Sequence, residues 1–536
     1  MKRFGLGMVL LALVMTLWSP TASASDMCST PVATGQGAFS GAKDPNYESC
    51  AYKGIPYAQP PVGDLRLARP LPPASHQGVV QAVNFGPVCI QNHGDHMSED
   101  CLYLNIWRPA KPGVFPVMVW VHGGSFTAGS GSFDLYHGGN LSSREDMVVV
   151  TINYRLGSLG YLALPELKAE DKDHSTGNMG ILDQIQALEW VRDNIAGFGG
   201  DPNNVTVAGQ SAGAMSVCVL LASPEAKGLF QRAMMMSGPC RLFSNEEAGF
   251  KKGREFAKSI GCKGPEVVKC LLRLPASAYA QKIPNDMFSG GTAWSPVVDG
   301  SVLKAMPVDA IQQGEYNKVP VIIGTTHDEL RAYAMSFYGL GLWPKGLVNR
   351  FMKFITGDNA KTILAMYDYK EYRRPIDVAF AFANEMTFDT PAFMMAQAMT
   401  GKNPVYWYRF DWHQTKMPHK VGAMHAIDIP FVFGSFDSNN KEFKQLASEK
   451  TVKNAMPLAY NMMKYVGNFA RTGNPNSEGV PKWQAYNLLE KDRLYMDIPI
   501  SARSLSENEV KRYEWFAAHP MKEVMTGKLI KSSGAK

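Results

Sequence analysis

Residues 207–216 read VAGQSAGAMS. Ser211 stands between Gly209 and Gly213 in the pattern G-x-S-x-G. The preceding residues, NVTVAG (204–209), form the short β-branched run of a buried strand; those that follow, AGAMSVCVLLAS (212–223), read as a helix. A serine on such a strand-to-helix turn presents its hydroxyl at the top of the sheet, and flanking glycines let the backbone turn without side-chain clash. The bland alternative is a packing turn built of small residues. The strand–turn–helix context favours a nucleophile.

Working outward, PVMVWV (116–121), MVVVTINY (147–154), VPVIIG (319–324) and PVYWYRF (404–410) also read as buried parallel strands. Helical patterns lie between them. In DQIQALEWVRDNIAGFGG (183–200), Ile185, Leu188, Val191 and Ile195 share one face, and Gly197 is the expected stop. Strands alternating with helices argue for an α/β sheet. Region 330–400 breaks the rhythm. Its stretches MSFYGLGLW and AFAFANEMTF are rich in aromatics and methionine, and predict an insertion packed over the sheet. The Lys-, Gly- and Ser-rich residues 520–536 predict a frayed tail.

A serine hydroxyl is a poor nucleophile and needs a base and an oxyanion site. HGGSF (122–126) follows the strand ending at Val121. Backbone N–H groups of such a loop face a developing oxyanion, joined by the N–H of the residue after the nucleophile, here Ala212. The base should be a histidine late in the chain, with the acid between it and Ser211. GAMHAIDIPFVFG (422–434) supplies His425, and IIGTTHDEL (322–330) supplies Asp328 and Glu329, both just past a strand. Spacing alone does not choose between the two acids. His122 suits a structural role in the oxyanion loop, His327 neighbours the acids, and His413 and His419 flank no comparable motif.

The formal charge is 54 − 48 = +6, with 45% hydrophobic and 19% charged residues. No dense Lys/Arg run accompanies an aromatic platform, so nucleic acid is not an expected partner. Residues 1–24 have the layout of a cleaved secretory signal: Lys2 and Arg3, an apolar run from Leu6 to Trp18, then Ala22-Ser23-Ala24. The mature domain is then 25–536, secreted or periplasmic, with no further membrane-spanning run. Export makes the eight cysteines candidates for disulfides. Cys89/Cys101 and Cys262/Cys270 bracket short loops, Cys28/Cys50 brackets the N-terminal segment, and Cys218 lies in the apolar run VCVLLA. Sequence alone leaves the connectivity open. His93 and His96 could ligate a metal, but a solvated loop is the simpler reading, and no metal site is expected.

The chain resembles the type-B carboxylesterase family, which includes cholinesterases and bacterial p-nitrobenzyl esterases. The resemblance covers nearly the whole mature chain. It rests on YKGIPYAQPPVGDLR (52–66), SEDCLYLNIW (98–107), VWVHGGSFTAGS (119–130), NYRLGSLGYL (153–162), the segment 177–214, GTTHDE (324–329) and GAMHAIDIPFVFG (422–434).

The resemblance implies an α/β-hydrolase with a large, mostly parallel sheet, one that cleaves small-molecule esters and needs no cofactor. It implies Ser211 as nucleophile, Glu329 as acid, His425 as base, and the N–H groups of Gly124, Ser125 and Ala212 as oxyanion donors. Ser125 stands where many members have glycine or alanine, and Leu330 where glycine usually follows the acid. It further implies an Arg66–Glu99 ion pair, a Ser237 hydrogen bond to the acid, and the bridges Cys89–Cys101 and Cys262–Cys270. Cys28–Cys50 is expected as a third bridge, with Cys218 and Cys240 reduced. The Cys89–Cys101 loop has eleven intervening residues and no tryptophan, which argues against choline esters. Arg373-Arg374 lies in the insertion; pointing inward, the pair would favour an acidic ester, and pointing outward it is merely solvated. The rival readings are a lipase or amidase of the same fold, and a non-catalytic adhesion module.

Overall fold

Backbone hydrogen bonds gather the β-branched runs into one sheet. The computed structural model describes residues 24–92, 94–238, 240–241, 243–280, 294–332, 343–436 and 447–527. Most of the signal-like segment, His93 and most of MSFYGLGLW lie outside the described residues. The eleven strands are, in chain order, β1 (Ala42–Lys43), β2 (Ser49–Pro56), β3 (Tyr103–Pro109), β4 (Phe115–Val121), β5 (Val148–Ile152), β6 (Gly200–Gln210), β7 (Arg232–Met236), β8 (Val321–Thr326), β9 (Val405–Phe410), β10 (Asp492–Met496) and β11 (Ser501–Ser504). Their spatial order is 1-2-3-5-4-6-7-8-9-10-11. Strands β4 to β10 are mutually parallel; the first three and β11 join through antiparallel pairs.

The parallel strands read as continuous apolar runs because both faces are covered. Alternate side chains of one strand enter different cores, as the two-residue period of a strand requires. Val117, Val119 and Val121 of β4 join one core, with Ile185 and Leu188 of the helix Met179–Asn194. Met118 and Trp120 join the other, with Met462, Val466 and Phe469 of the helix Glu449–Thr472. The expected glycine stop is displaced. The helix ends at Asn194, tightens into a 3₁₀ turn over Ile195–Phe198, and terminates at Gly199 with φ 75° rather than at Gly197.

Within region 330–400, the described residues from 343 onward are largely helical. Thr390–Met399 packs onto the sheet core through Phe393 and Met399. The helices Lys345–Thr356 and Pro375–Asn384 build a separate cluster in which Met352 and Phe382 meet Phe516 and Val524. The start of the expected frayed tail is ordered instead: Met521–Val524 is helical and Val524 is fully buried, while residues 528–536 lie outside the described residues.

Cys28–Cys50, Cys89–Cys101 and Cys262–Cys270 are bridged. So are Cys218 and Cys240, which corrects the expectation that both stay reduced. Cys218 lies on the helix that follows β6, and Cys240 follows β7. Those strands are neighbours in the sheet, which brings the two Cα atoms to 6.0 Å. The apolar run around Cys218 signalled burial but carried no information about a partner 22 residues away. Non-reducing peptide mapping is expected to recover Cys218 linked to Cys240. Replacing both with alanine should destabilise the fold by about 2–4 kcal/mol. A free thiol at Cys218 in the native protein would contradict this.

Candidate active site

Strand β6 ends at Gln210, and the helix Ala212–Ala222 begins two residues later. Ser211 bridges them with φ 57° and ψ −124°. A non-glycine residue held there costs on the order of 1–3 kcal/mol and persists only where the surroundings enforce it. The flanking glycines permit the turn for a visible reason. A Cβ on Gly209 would lie 2.5 Å from the Gly213 carbonyl, and one on Gly213 would lie 2.0 Å from Val121 O. Ser211 N–H donates to Met236 O (2.9 Å), and Ser211 O accepts from Met215 N–H (2.9 Å), so the turn is tied to β7 and to its own helix.

The loop after β4 closes on this turn. A Cβ on Gly123 would stand 3.1 Å from Ser211 Cβ. Gly124, Ser125 and Phe126 all take positive φ (115°, 55°, 61°), and fully buried Phe126 anchors the loop. Thr127 and Ala128 N–H both donate to Gly124 O at 3.0 Å. Among the described residues, the N–H groups of Gly124, Ser125 and Ala212 have no partner. The left-handed φ at Ser125 explains why glycine suits that position. His122 is structural, as expected. Its Nδ1–H donates to Gly123 O (2.7 Å), its ring stacks on Tyr154, and burial pushes its pKa down to about 4, so it is neutral.

Glu329 and Asp328 follow the same strand but face different partners. Glu329 is fully buried; Oε1 accepts from Thr326 N–H (2.7 Å), and Oε2 accepts from His425 Nδ1–H (2.5 Å). Asp328 turns toward Arg331 (2.9 Å) and His327 (3.2 Å), and its Oδ2 accepts from Ala423 N–H (2.9 Å). Its own N–H donates to Ala423 O (2.9 Å), so a short backbone bridge holds the acid loop against the histidine loop. The Glu329 bond places the His425 proton on Nδ1 and leaves Nε2 as an acceptor. Nε2 accepts from Gln210 Nε2–H at 3.0 Å. Gln210 is the x of the G-x-S-x-G pattern, and sequence reasoning missed it because the pattern leaves that position open.

Arg66 and Glu99 form the expected pair, bidentate at 2.6 and 2.9 Å. Arg66 Nη1 also donates to the carbonyls of Leu272 (2.9 Å) and Leu274 (2.6 Å), tying the first disulfide loop to the segment after Cys270. Ser237 departs from expectation. Its N–H donates to Gly324 O (2.8 Å), but its buried Oγ has no partner among the described residues. Arg373 is exposed, and Arg374 is held by Asp377 (2.8 Å); the cavity they line does not include Ser211.

Asp428, three residues past His425, is also fully buried. Its Oδ2 accepts from Tyr408 OH (2.9 Å), while Oδ1 has no partner among the described residues. Burial, and then the charge of Glu329, pushes its pKa up to about 7. The unfolded carboxyl titrates near 3.8, so the folded state keeps a proton that the unfolded state has lost. Stability from this group therefore falls as pH rises from about 4 to about 7. Asp428→Asn is expected to gain stability over the native protein as pH rises through that window. Calorimetric Tm differences at pH 5 and pH 8 check this; the same difference at both would contradict it.

Parallel strands, a serine turn after the central strand and partners in the chain order Ser, Glu, His define the α/β-hydrolase fold. Within it, the chain belongs to the Carboxylesterase family, whose sequence profile it matches over residues 28–514. It is 36% identical over 479 residues to the para-nitrobenzyl esterase of Bacillus subtilis (strain 168), covering 87% of this chain and 94% of that one. It is 34% identical over 537 residues to the acylcarnitine hydrolase of Mus musculus, covering 93% and 91%. It is 32% identical over 553 residues to the cocaine esterase of Homo sapiens, covering 93% and 92%. A solved PNB esterase superposes with TM-score 0.77 at 34% identity, covering 90% of this chain and 99% of that one. A carboxylesterase of Geobacillus stearothermophilus gives TM-score 0.76 at 33% identity, covering 90% and 100%. The chain is a carboxylic ester hydrolase acting on small-molecule esters.

Proposed function

We propose that this esterase works by two-step acyl transfer through Ser211, His425 and Glu329. The observation that carries the reading is the Glu329–His425 bond, made to a histidine whose Nε2 accepts from Gln210, the residue before the strained Ser211. His425 Nε2 leaves Gln210 and takes the Ser211 proton as Oγ attacks the ester carbonyl. The carbonyl oxygen gains charge facing the N–H groups of Gly124, Ser125 and Ala212; each such donor is worth about 10²–10³ in rate. Glu329 holds the imidazole in the useful tautomer and stabilises its cation. The imidazolium returns the proton to the departing alkoxide, which leaves as alcohol. Water, deprotonated by His425, then attacks the acyl-enzyme; the acid leaves and Ser211 is restored. Every group this chemistry requires belongs to the chain.

The reading includes export. The signal-like residues 1–24 and four disulfides favour a secreted or periplasmic enzyme. No helix among the described residues is long and apolar enough to cross a membrane. The test of the mechanism is pre-steady-state hydrolysis of p-nitrophenyl acetate. An acyl-enzyme predicts a burst of p-nitrophenolate proportional to enzyme wherever deacylation is the slower step.

A further inference from the structure

Gln210 is the last residue of β6, buried, with Ser211 directly after it. Its side chain lies between the base and the oxyanion loop. On one side its Nε2–H donates to His425 Nε2 at 3.0 Å. On the other, a Cβ on Gly123 would stand 3.0 Å from its Oε1 and 2.8 Å from its backbone O. Chemistry fixes the direction of the amide. Glu329 Oε2 holds the His425 proton on Nδ1, so Nε2 of the neutral ring can only accept. The amide oxygen could not bond to it, and the NH₂ end can.

This bond occupies the atom that acyl transfer uses as the base. It exists while Nε2 carries no proton, so it favours the neutral imidazole over the imidazolium. The other neighbours of the ring act differently. From the acid loop, Glu329 bonds Nδ1 at 2.5 Å, while Asp328 is turned to Arg331. From the ring's own segment, buried Asp428 interacts with it through charge. The π-helical turn Glu385–Asp389 brings the uncharged ring of Phe388 to 5.4 Å from the imidazole. The acids of that turn are held elsewhere, Glu385 by Arg512 (2.7 Å) and Asp389 by Thr325 Oγ1–H (2.6 Å). His122 of the oxyanion loop is neutral. Gln210 thus meets the ring at its second nitrogen with a donor and no charge.

We propose that Gln210 is a positioning residue for the base. Its amide caps His425 Nε2 in the resting enzyme, keeps the imidazole neutral and aimed at the nucleophile turn, and yields its place to the Ser211 hydroxyl when an ester binds. Gln210 sits at the end of a central strand, so the cap is held by the sheet rather than by a loop. Cap and nucleophile are consecutive residues, and the exchange passes Nε2 from one to the next.

The test is kcat and kcat/KM on p-nitrophenyl acetate from pH 5 to pH 9 for the native enzyme, Gln210→Glu and Gln210→Met. Glutamate has the same shape but offers a carboxylate that accepts from a protonated Nε2. The acid limb of kcat/KM, which reports the free enzyme, is expected to move up by about 1–2 pH units, with activity recovering toward pH 9. Recovery at high pH also shows that the variant is folded. Methionine keeps the bulk and has neither donor nor charge. The uncapped imidazole can then turn about its Glu329 bond. The expected result is a fall in kcat of about tenfold, the worth of one positioning hydrogen bond, with KM within about twofold and a much smaller shift of the acid limb. A merely structural role would lower Tm and leave the limb in place. The proposal is overturned by an unmoved acid limb in Gln210→Glu, by activity that does not recover at high pH, or by native kcat in Gln210→Met. It rests on the acyl-transfer reading, and the two fail differently. A native enzyme that never carries an acyl group on Ser211 removes the mechanism, whereas a normal native burst with unmoved profiles removes the cap alone.

Discussion

Replacing Ser211 with alanine is expected to lower kcat on p-nitrophenyl acetate by about 10⁵–10⁶ while leaving the fold intact. The strain at this position belongs to the backbone, since φ 57° and ψ −124° are imposed by Gly209, Gly213 and the bond to Met236 O. Alanine carries the same Cβ into the same turn, so Tm should stay near the native value. What disappears is the oxygen that forms the acyl bond. The loop 122–126 and the Glu329–His425 pair would remain and polarise a bound ester for direct attack by water, which sets the residual rate. Activity within tenfold of the native enzyme would remove Ser211 from the mechanism.

The second large effect separates two neighbouring acids. Glu329→Gln is expected to cost about 10³–10⁴ in kcat, because a neutral amide no longer stabilises the imidazolium and presents an N–H that favours the wrong tautomer. Glu329 is fully buried and has both oxygens committed, to Thr326 N–H and to His425. Asp328→Asn removes charge from the Arg331 and His327 contacts but keeps a side-chain acceptor for Ala423 N–H. Its expected cost in kcat is about tenfold or less, with the larger effect on Tm. Steady-state kinetics of the two variants rank them directly, and a larger kcat loss in Asp328→Asn would contradict the assignment.

The contrast between these acids marks where sequence reading stopped. G-x-S-x-G and HGGSF are legible because both are backbone requirements. Close approach to Val121 O and the Ala128 carbonyl excludes a side chain at Gly213 and Gly124, and glycine records that constraint in the sequence. The strands were legible for a similar reason, since burial on two faces demands unbroken β-branched runs. Direction is less well recorded. Asp328 and Glu329 follow the same strand, and which one reaches His425 depends on the bridge to Ala423, a contact across 95 residues. Gln210 was illegible because its neighbour His425 is 215 residues away and nothing in the local pattern names a partner. Cys218–Cys240 was missed likewise: helix burial was visible, whereas strand adjacency was not. Ser237 shows the opposite limit, since resemblance supplied a bond to the acid, yet both oxygens of Glu329 find other donors.

The most direct test of acyl transfer through Ser211 is to quench the p-nitrophenyl acetate reaction with acid during the burst and locate the acetyl group by tandem mass spectrometry. The mechanism predicts one acetyl group per enzyme molecule, on the peptide containing GQSAGA and on Ser211 itself, absent from Ser211→Ala. An acetyl group on any other residue in the burst, or a burst that survives in Ser211→Ala, would contradict it.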